Sequence, residues 1–104
     1  MSGRPDIQIP EVDDRLHEPA RLKLLAILAV VKRADFTYLL NVSGLSKGNL
    51  SVQMSRLADG DLVKIEKSFR DNRPRTMYEL TREGRQALRA YKKNMLTILS
   101  VLPD

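Results

Sequence analysis

Lys47, Asn49, Ser51, Gln53 and Arg56 stand close together, short hydrogen-bonding groups where a surface helix usually shows Glu and Lys. A side-chain amide carries a donor beside an acceptor, so Asn49 and Gln53 can pair bidentately with an adenine edge. Arg56 or Lys47 can pair in the same way with guanine N7 and O6, and Val52 can meet a thymine methyl. Ser46, Lys47 and Gly48 fall where a helix would begin, and the free N–H groups of a helix start favour a phosphate. Gly48 has no Cβ to keep another backbone away. A plainer account competes with this one. Ser46 is fully explained as a helix cap, Gly48 can be tolerated without a role, and polar residues opposite an apolar stripe are what any surface helix shows.

A second cluster follows around "RDNRPR", residues 70–75, where Lys67 just before it and Arg70, Asn72, Arg73 and Arg75 within it surround Pro74. Residues 64–75 hold five basic groups against Glu66 and Asp71. Such a segment can grip phosphates, with one Arg inserted into a narrow A·T minor groove; the alternative is a solvated turn with a chance run of charge. Arg73 and Arg75 are the strongest candidates. Pro74 would stiffen the tip.

Catalytic chemistry finds little to use. The chain has no Cys, and His17 is its sole His, so thiolate chemistry is excluded and a transition-metal site would rest on carboxylates. Asp13 and Asp14 are adjacent, do not converge on one point, and have no nucleophile beside them. No phosphate-cradling Gly loop is present. The expectation is a protein that is not an enzyme, with no metal and no cofactor; His17 suits a satisfied residue at a helix start.

The elements that must hold the two clusters can be read from period and punctuation. Residues 1–13 form an extended N-terminal arm with two Pro and no helical period. A first helix should begin near "DDRLHEP", with Pro19 in its first turn; Leu24, Leu25, Ile27, Leu28, Val30 and Val31 make it apolar nearly all round, so one side is available to a partner chain. Asp35 can cap a short second helix carrying Phe36, Leu39 and Leu40, which Gly44 ends in the left-handed region. Ser46 caps a third over 46–59, with Leu50, Met54 and Leu57 inward and Gly60 as its stop. Val63, Ile65 and Phe69 then alternate on one side, answered by Tyr78 and Leu80, which makes a β-hairpin with a cationic tip. Thr81 opens a last helix over 81–104. Its Leu88, Tyr91, Met95, Ile98 and Leu102 are spaced as a heptad seam, which favours pairing across a two-fold over packing within the chain or lying on a membrane.

At 104 residues the chain is long enough for one domain and one core. Lys and Arg exceed Asp and Glu by 18 to 13, giving a net charge of +5, which attracts phosphates weakly at long range. The longest apolar run, Leu24 to Val31, is far short of the roughly 20 residues of a spanning helix, and no charged, apolar signal segment opens the chain. A cytoplasmic protein without a membrane partner is expected.

Helix, helix, helix, hairpin, helix is the order that "HEPARLKLLAIL" at 17–28, "GLSKGNLSVQMSRLADGDLV" at 44–63 and "IEKSFRDNRPRTMYELTREGRQAL" at 65–88 share with a known family. Over residues 14–100 the chain resembles the small winged-helix DNA-binding regulators of the MarR/ArsR/PadR type. The resemblance implies an α+β, mainly helical fold: a winged helix-turn-helix at 14–80 and a C-terminal dimerisation helix. It implies a homodimer on pseudo-palindromic double-stranded DNA, with helix 46–59 in the major groove and wing 70–75 on the backbone or minor groove. Ser46, Lys47, Gly48, Asn49, Ser51, Val52, Gln53, Arg56, Lys67, Arg70, Asn72, Arg73 and Arg75 would then contact DNA. Repression is the default mode of such families, and the sequence identifies no small-molecule effector. The alternative function is a winged helix that contacts another protein and not DNA.

Overall fold

The computed structural model describes residues 3–104. α1 (Pro19–Val31) begins at Pro19 rather than at Asp14, because the preceding residues fold into turns. Leu16 and His17 both donate backbone N–H groups to the Asp13 carbonyl at 3.0 Å. Glu18 is the cap, its carboxylate accepting from the N–H groups of Ala20 and Arg21 at 3.0 and 2.9 Å. Those two bonds hold the Glu18 carboxyl below its ordinary pKa. Lys32, at φ 73, then turns the chain sharply.

The turn feeds β1 (Arg33–Asp35), a strand too short to announce itself by alternation. Asp35 caps α2 (Phe36–Ser43) as expected, accepting from Tyr38 N–H at 2.8 Å, and Gly44 at φ 73 ends that helix. Ser46 Oγ accepts from Asn49 N–H at 3.1 Å to open α3 (Lys47–Asp59), and Gly60 stops it. β2 (Val63–Arg70) and β3 (Arg73–Leu80) pair antiparallel from Val63↔Leu80 to Arg70↔Arg73. Asp71 and Asn72, at φ 52 and 62, are the two residues between them, the left-handed pair that a tight hairpin turn demands. Pro74 therefore lies in β3, opposite Phe69, and not in the turn. β1 adds to the far edge of β3, giving the sheet order β1-β3-β2.

α4 (Arg82–Ser100) is capped by Thr81, whose Oγ1 accepts from Gly84 N–H at 2.9 Å. Thr81 N–H also donates to the Leu62 carbonyl at 3.1 Å. That tie holds the start of α4 against the entry to β2. Gly84 sits so close there that a Cβ would collide with the Leu62 carbonyl oxygen.

Leu24, Leu25, Leu28, Leu39, Leu50, Met54, Leu57, Leu62 and Leu80 form the core, between the three-helix unit and the root of the sheet. Leu50, Met54 and Leu57 point inward as their spacing predicts. Three expectations change. Phe69 is 77% exposed, because the hairpin outruns the core that its alternation was expected to face. Tyr91 is buried inside the chain, its hydroxyl sharing a 2.8 Å hydrogen bond with His17 Nδ1. Met95 packs on the same core, so the heptad seam is divided between the chain's own body and the solvent. Asn94 Nδ2 donates to the Glu11 carbonyl at 3.2 Å, which ties the end of the N-terminal arm to α4; residues 1–2 of the arm lie outside the described residues.

Candidate nucleic-acid interface

Two elements present the candidate residues to solvent. On α3 the Ser46 cap leaves Lys47, Gly48, Asn49, Ser51, Val52 and Arg56 exposed. Ser55 is exposed among them. The stripe rule finds it, since Ser55 follows Val52 by three and Ser51 by four, opposite Leu57. Nothing in the fold requires Gly48 to lack a side chain, for a Cβ there would meet only open space.

Gln53 departs from the expected pattern. It is 8% exposed and faces α1 rather than outward. Its Oε1 accepts from Arg21 at 3.4 Å and its Nε2 donates to Asn49 Oδ1 at 3.1 Å. The reason is helical geometry. Gln53 lies three residues after Leu50 and one before Met54, on the shoulder of the buried stripe, where α1 covers it. Arg21, with a second guanidinium nitrogen donating to the Asp14 carbonyl at 3.4 Å, is the partner that sequence reasoning missed. Its signal was a charged residue in the first turn of a helix whose one other charge is Lys23.

The wing divides in two. At its root the cations are matched: Arg33 lies 3.5 Å from Glu66 and 3.7 Å from Glu79, and Lys64 lies 3.6 Å from Glu66. Arg75 belongs to this group, 3.6 Å from the Asp35 carboxylate that also caps α2. Arg75, expected to be free for DNA, is thus engaged by Asp35, although it lies opposite Ser68 on the outer part of the hairpin. Elsewhere on the hairpin Lys67, Arg70, Asn72 and Arg73 are exposed, and among the described residues no carboxylate pairs with Lys67, Arg70 or Arg73.

On the opposite side Arg15 braces the base of α3. Its guanidinium donates to the Gly60 carbonyl at 3.1 Å and to Asp13 Oδ2 at 2.6 Å. The Arg15 hydrogen bond holds the Asp13 carboxyl below its usual range. Among the described residues no cluster of His, Cys, Asp and Glu could hold a metal ion, and no helix is long and apolar enough to cross a membrane.

Residues 20–99 match the family of winged helix DNA-binding domains. Over 78 residues the chain is 31% identical to an uncharacterized protein of Methanocaldococcus jannaschii, a match spanning 75% of this chain and 85% of that one. Its structure is similar to that of a transcriptional regulator homologue from Pyrococcus horikoshii OT3, with 29% identity, a TM-score of 0.78, and 83% and 85% of the two chains covered. It shares its fold with AbsC, a MarR family transcriptional regulator from Streptomyces coelicolor, at 23% identity and a TM-score of 0.61, over 78% of this chain and 59% of that one. An exposed polar helix beside a cationic hairpin, on this fold, places the chain in the winged helix DNA-binding domain family, as a DNA-binding transcriptional regulator of MarR-like fold.

Proposed function

We propose that the chain binds double-stranded DNA in a sequence-specific way as a homodimer and represses transcription by occupying promoter DNA, working in the cytoplasm. α3 enters the major groove with Lys47, Asn49, Ser51, Val52, Ser55 and Arg56 toward the bases, while Ser46 and Gly48 stand near a phosphate. Lys67, Arg70 and Arg73 hold the flanking backbone. One observation carries this reading: the cations at the wing root are neutralised by carboxylates, and those at the tip are not. Bringing a phosphate to the tip breaks no existing ion pair.

Dimerisation rests on the apolar surface at the other end of the molecule. Leu96, Leu99 and Leu102 are exposed along the end of α4. Between α1 and α4 runs an open groove of about 550 Å³ lined by Leu22, Ala26, Ala29, Leu80, Leu88 and Tyr91 together with the cations Arg85, Arg89 and Lys92. A second copy related by a two-fold would cover both. Tyr91 is buried and both Leu88 and Met95 pack partly on the chain's own core, so of the expected seam Ile98 and Leu102 carry most of the interface, joined by Leu96 and Leu99. Half-sites would then repeat about 34 Å apart.

The test is the salt dependence of binding to labelled random duplex DNA. A regulator of this kind binds weakly and loses affinity steeply as salt rises. A flat response near physiological salt would instead assign the same surface to a protein partner. Sedimentation of the chain and of Leu99→Arg separates dimer from monomer.

A further inference from the structure

We infer that Arg21, on α1, decides which end of the Asn49 side chain faces DNA, and that Asn49 reads as a hydrogen-bond donor. The inference rests on the proposed placement of α3 in the major groove. Its physical basis is a chain of three side chains with a direction. A guanidinium can only donate. Arg21 therefore requires the oxygen of the Gln53 amide, at 3.4 Å. That leaves Gln53 with its NH₂ toward α3, where it donates to Asn49 Oδ1 at 3.1 Å. Asn49 Oδ1 is thus turned inward to a residue that is 8% exposed, and Nδ2, on the other side of the amide carbon, is the end left for a partner. Neither amide is free to flip without setting a donor against a donor or an acceptor against an acceptor.

Arg21 is itself anchored. Its other terminal nitrogen donates to the Asp14 carbonyl, and its backbone N–H is held by the Glu18 cap.

The consequence concerns base choice. Bidentate pairing with adenine needs both ends of the Asn amide on one base edge, and here the oxygen is turned away. A lone Nδ2 donor favours an acceptor, guanine O6 or N7, thymine O4 or adenine N7, and rejects cytosine, whose major-groove edge offers only its N4 amino donor. Arg21 touches no base in this scheme. It is a positioning residue, and Gln53 transmits its polarity.

Gln53→Glu tests this with almost no change of shape. A carboxylate at that position still accepts from Arg21 but cannot donate to Asn49, so the Asn49 amide turns round and offers its oxygen outward. The experiment selects duplexes from a randomised library with the purified full-length chain, in parallel for the unaltered protein, Gln53→Glu, Arg21→Met and Asn49→Ala. At one base pair of the half-site the unaltered protein should prefer guanine or thymine over cytosine by about tenfold. Gln53→Glu should reverse that preference toward cytosine and leave the other positions unchanged. Arg21→Met, which leaves α3 intact, should erase the preference at the same position without altering the salt slope. If Asn49→Ala relaxes that position while Gln53→Glu and Arg21→Met leave it as it was, the relay is wrong. If Asn49→Ala weakens every sequence alike, Asn49 holds a phosphate and the inference falls. Failure of the unaltered chain to enrich any sequence would overturn the proposed function itself, a result distinct from the other two.

Discussion

The root and the tip of the wing are built from the same residue types and end in opposite electrostatic states. At the root Arg33, Lys64 and Arg75 are matched with Glu66, Glu79 and Asp35. At the tip Lys67, Arg70 and Arg73 have no carboxylate partner among the described residues, and Phe69 stands exposed between them. The difference lies in which carboxylates the side chains reach. Glu66 and Glu79 stand on the hairpin strands beside Arg33 and Lys64, and Asp35 reaches Arg75 from the end of β1, whereas Asp71 in the turn pairs with none of Lys67, Arg70 and Arg73. Surface pairs of this kind contribute about 0–1 kcal/mol each, so the root pairs matter mainly for where they hold the hairpin. A substitution at the root should therefore appear in stability, and one at the tip in DNA affinity.

The largest effect should come from the seam that fixes the wing to α4. Gly84→Ala drives a Cβ into the Leu62 carbonyl oxygen, and backbone on both sides resists moving. A loss of about 2–3 kcal/mol is expected, or a fall of roughly 10 °C in Tm by circular dichroism. An unchanged Tm would mean that α4 can move away from the wing root at little cost. Next is the tip. Arg70→Ala with Arg73→Ala should weaken binding to random duplex DNA roughly tenfold or more and reduce the salt slope by about 2, since each phosphate contact contributes about 0.9. The melting temperature should not move. If it falls while the slope stays, the tip is structural and the contrast between the two ends is lost.

How far such outcomes could be foreseen follows from the range of the forces involved. Ser46, Asp35, Thr81 and Gly44 were legible because a cap or a left-handed residue acts within four positions of itself. Leu50, Met54 and Leu57 were legible because helical period alone places them on one side. β1 was not, since three residues cannot show alternation and the strand exists only because β3 offers an edge. Gln53 and Arg75 were misplaced for a related reason. Their partners, Arg21 and Asp35, lie 32 and 40 residues away in the chain. Tyr91 was assigned to a partner copy because its spacing fits a seam, and spacing cannot reveal that His17 and the core already cover that part of α4. The fold was thus readable from local rules; the site's outline was readable too, but not which of its polar groups the fold had already engaged.

Arg75 sharpens the boundary between the two ends. Asp35 Oδ1 caps α2 while Oδ2 faces Arg75, so one carboxylate serves both a helix start and the hairpin. Arg75→Ala should cost no more than about 1 kcal/mol in a urea melt, because the pair is partly solvated. Its effect on DNA affinity should be well below that of the tip pair. A loss as large as that of Arg70 and Arg73 together would add Arg75 to the DNA-facing zone despite its pairing with Asp35.

Gly48 gives the smallest expected effect and a useful one, because its two readouts should move in opposite directions. A methyl group at this position meets no atom of the fold. Glycine in the first turn of a helix carries an entropic cost that alanine lacks, so Gly48→Ala should stabilise the chain by about 0.5 kcal/mol in the same urea melt. If α3 lies against a phosphate or the floor of the groove, the added methyl takes space the DNA needs, and affinity should fall while stability rises. A rise in stability with affinity unchanged would remove Gly48 from the interface and leave the helix start to Ser46 and Lys47. The sign of that pair of numbers separates a residue retained for a partner from one that the fold merely tolerates.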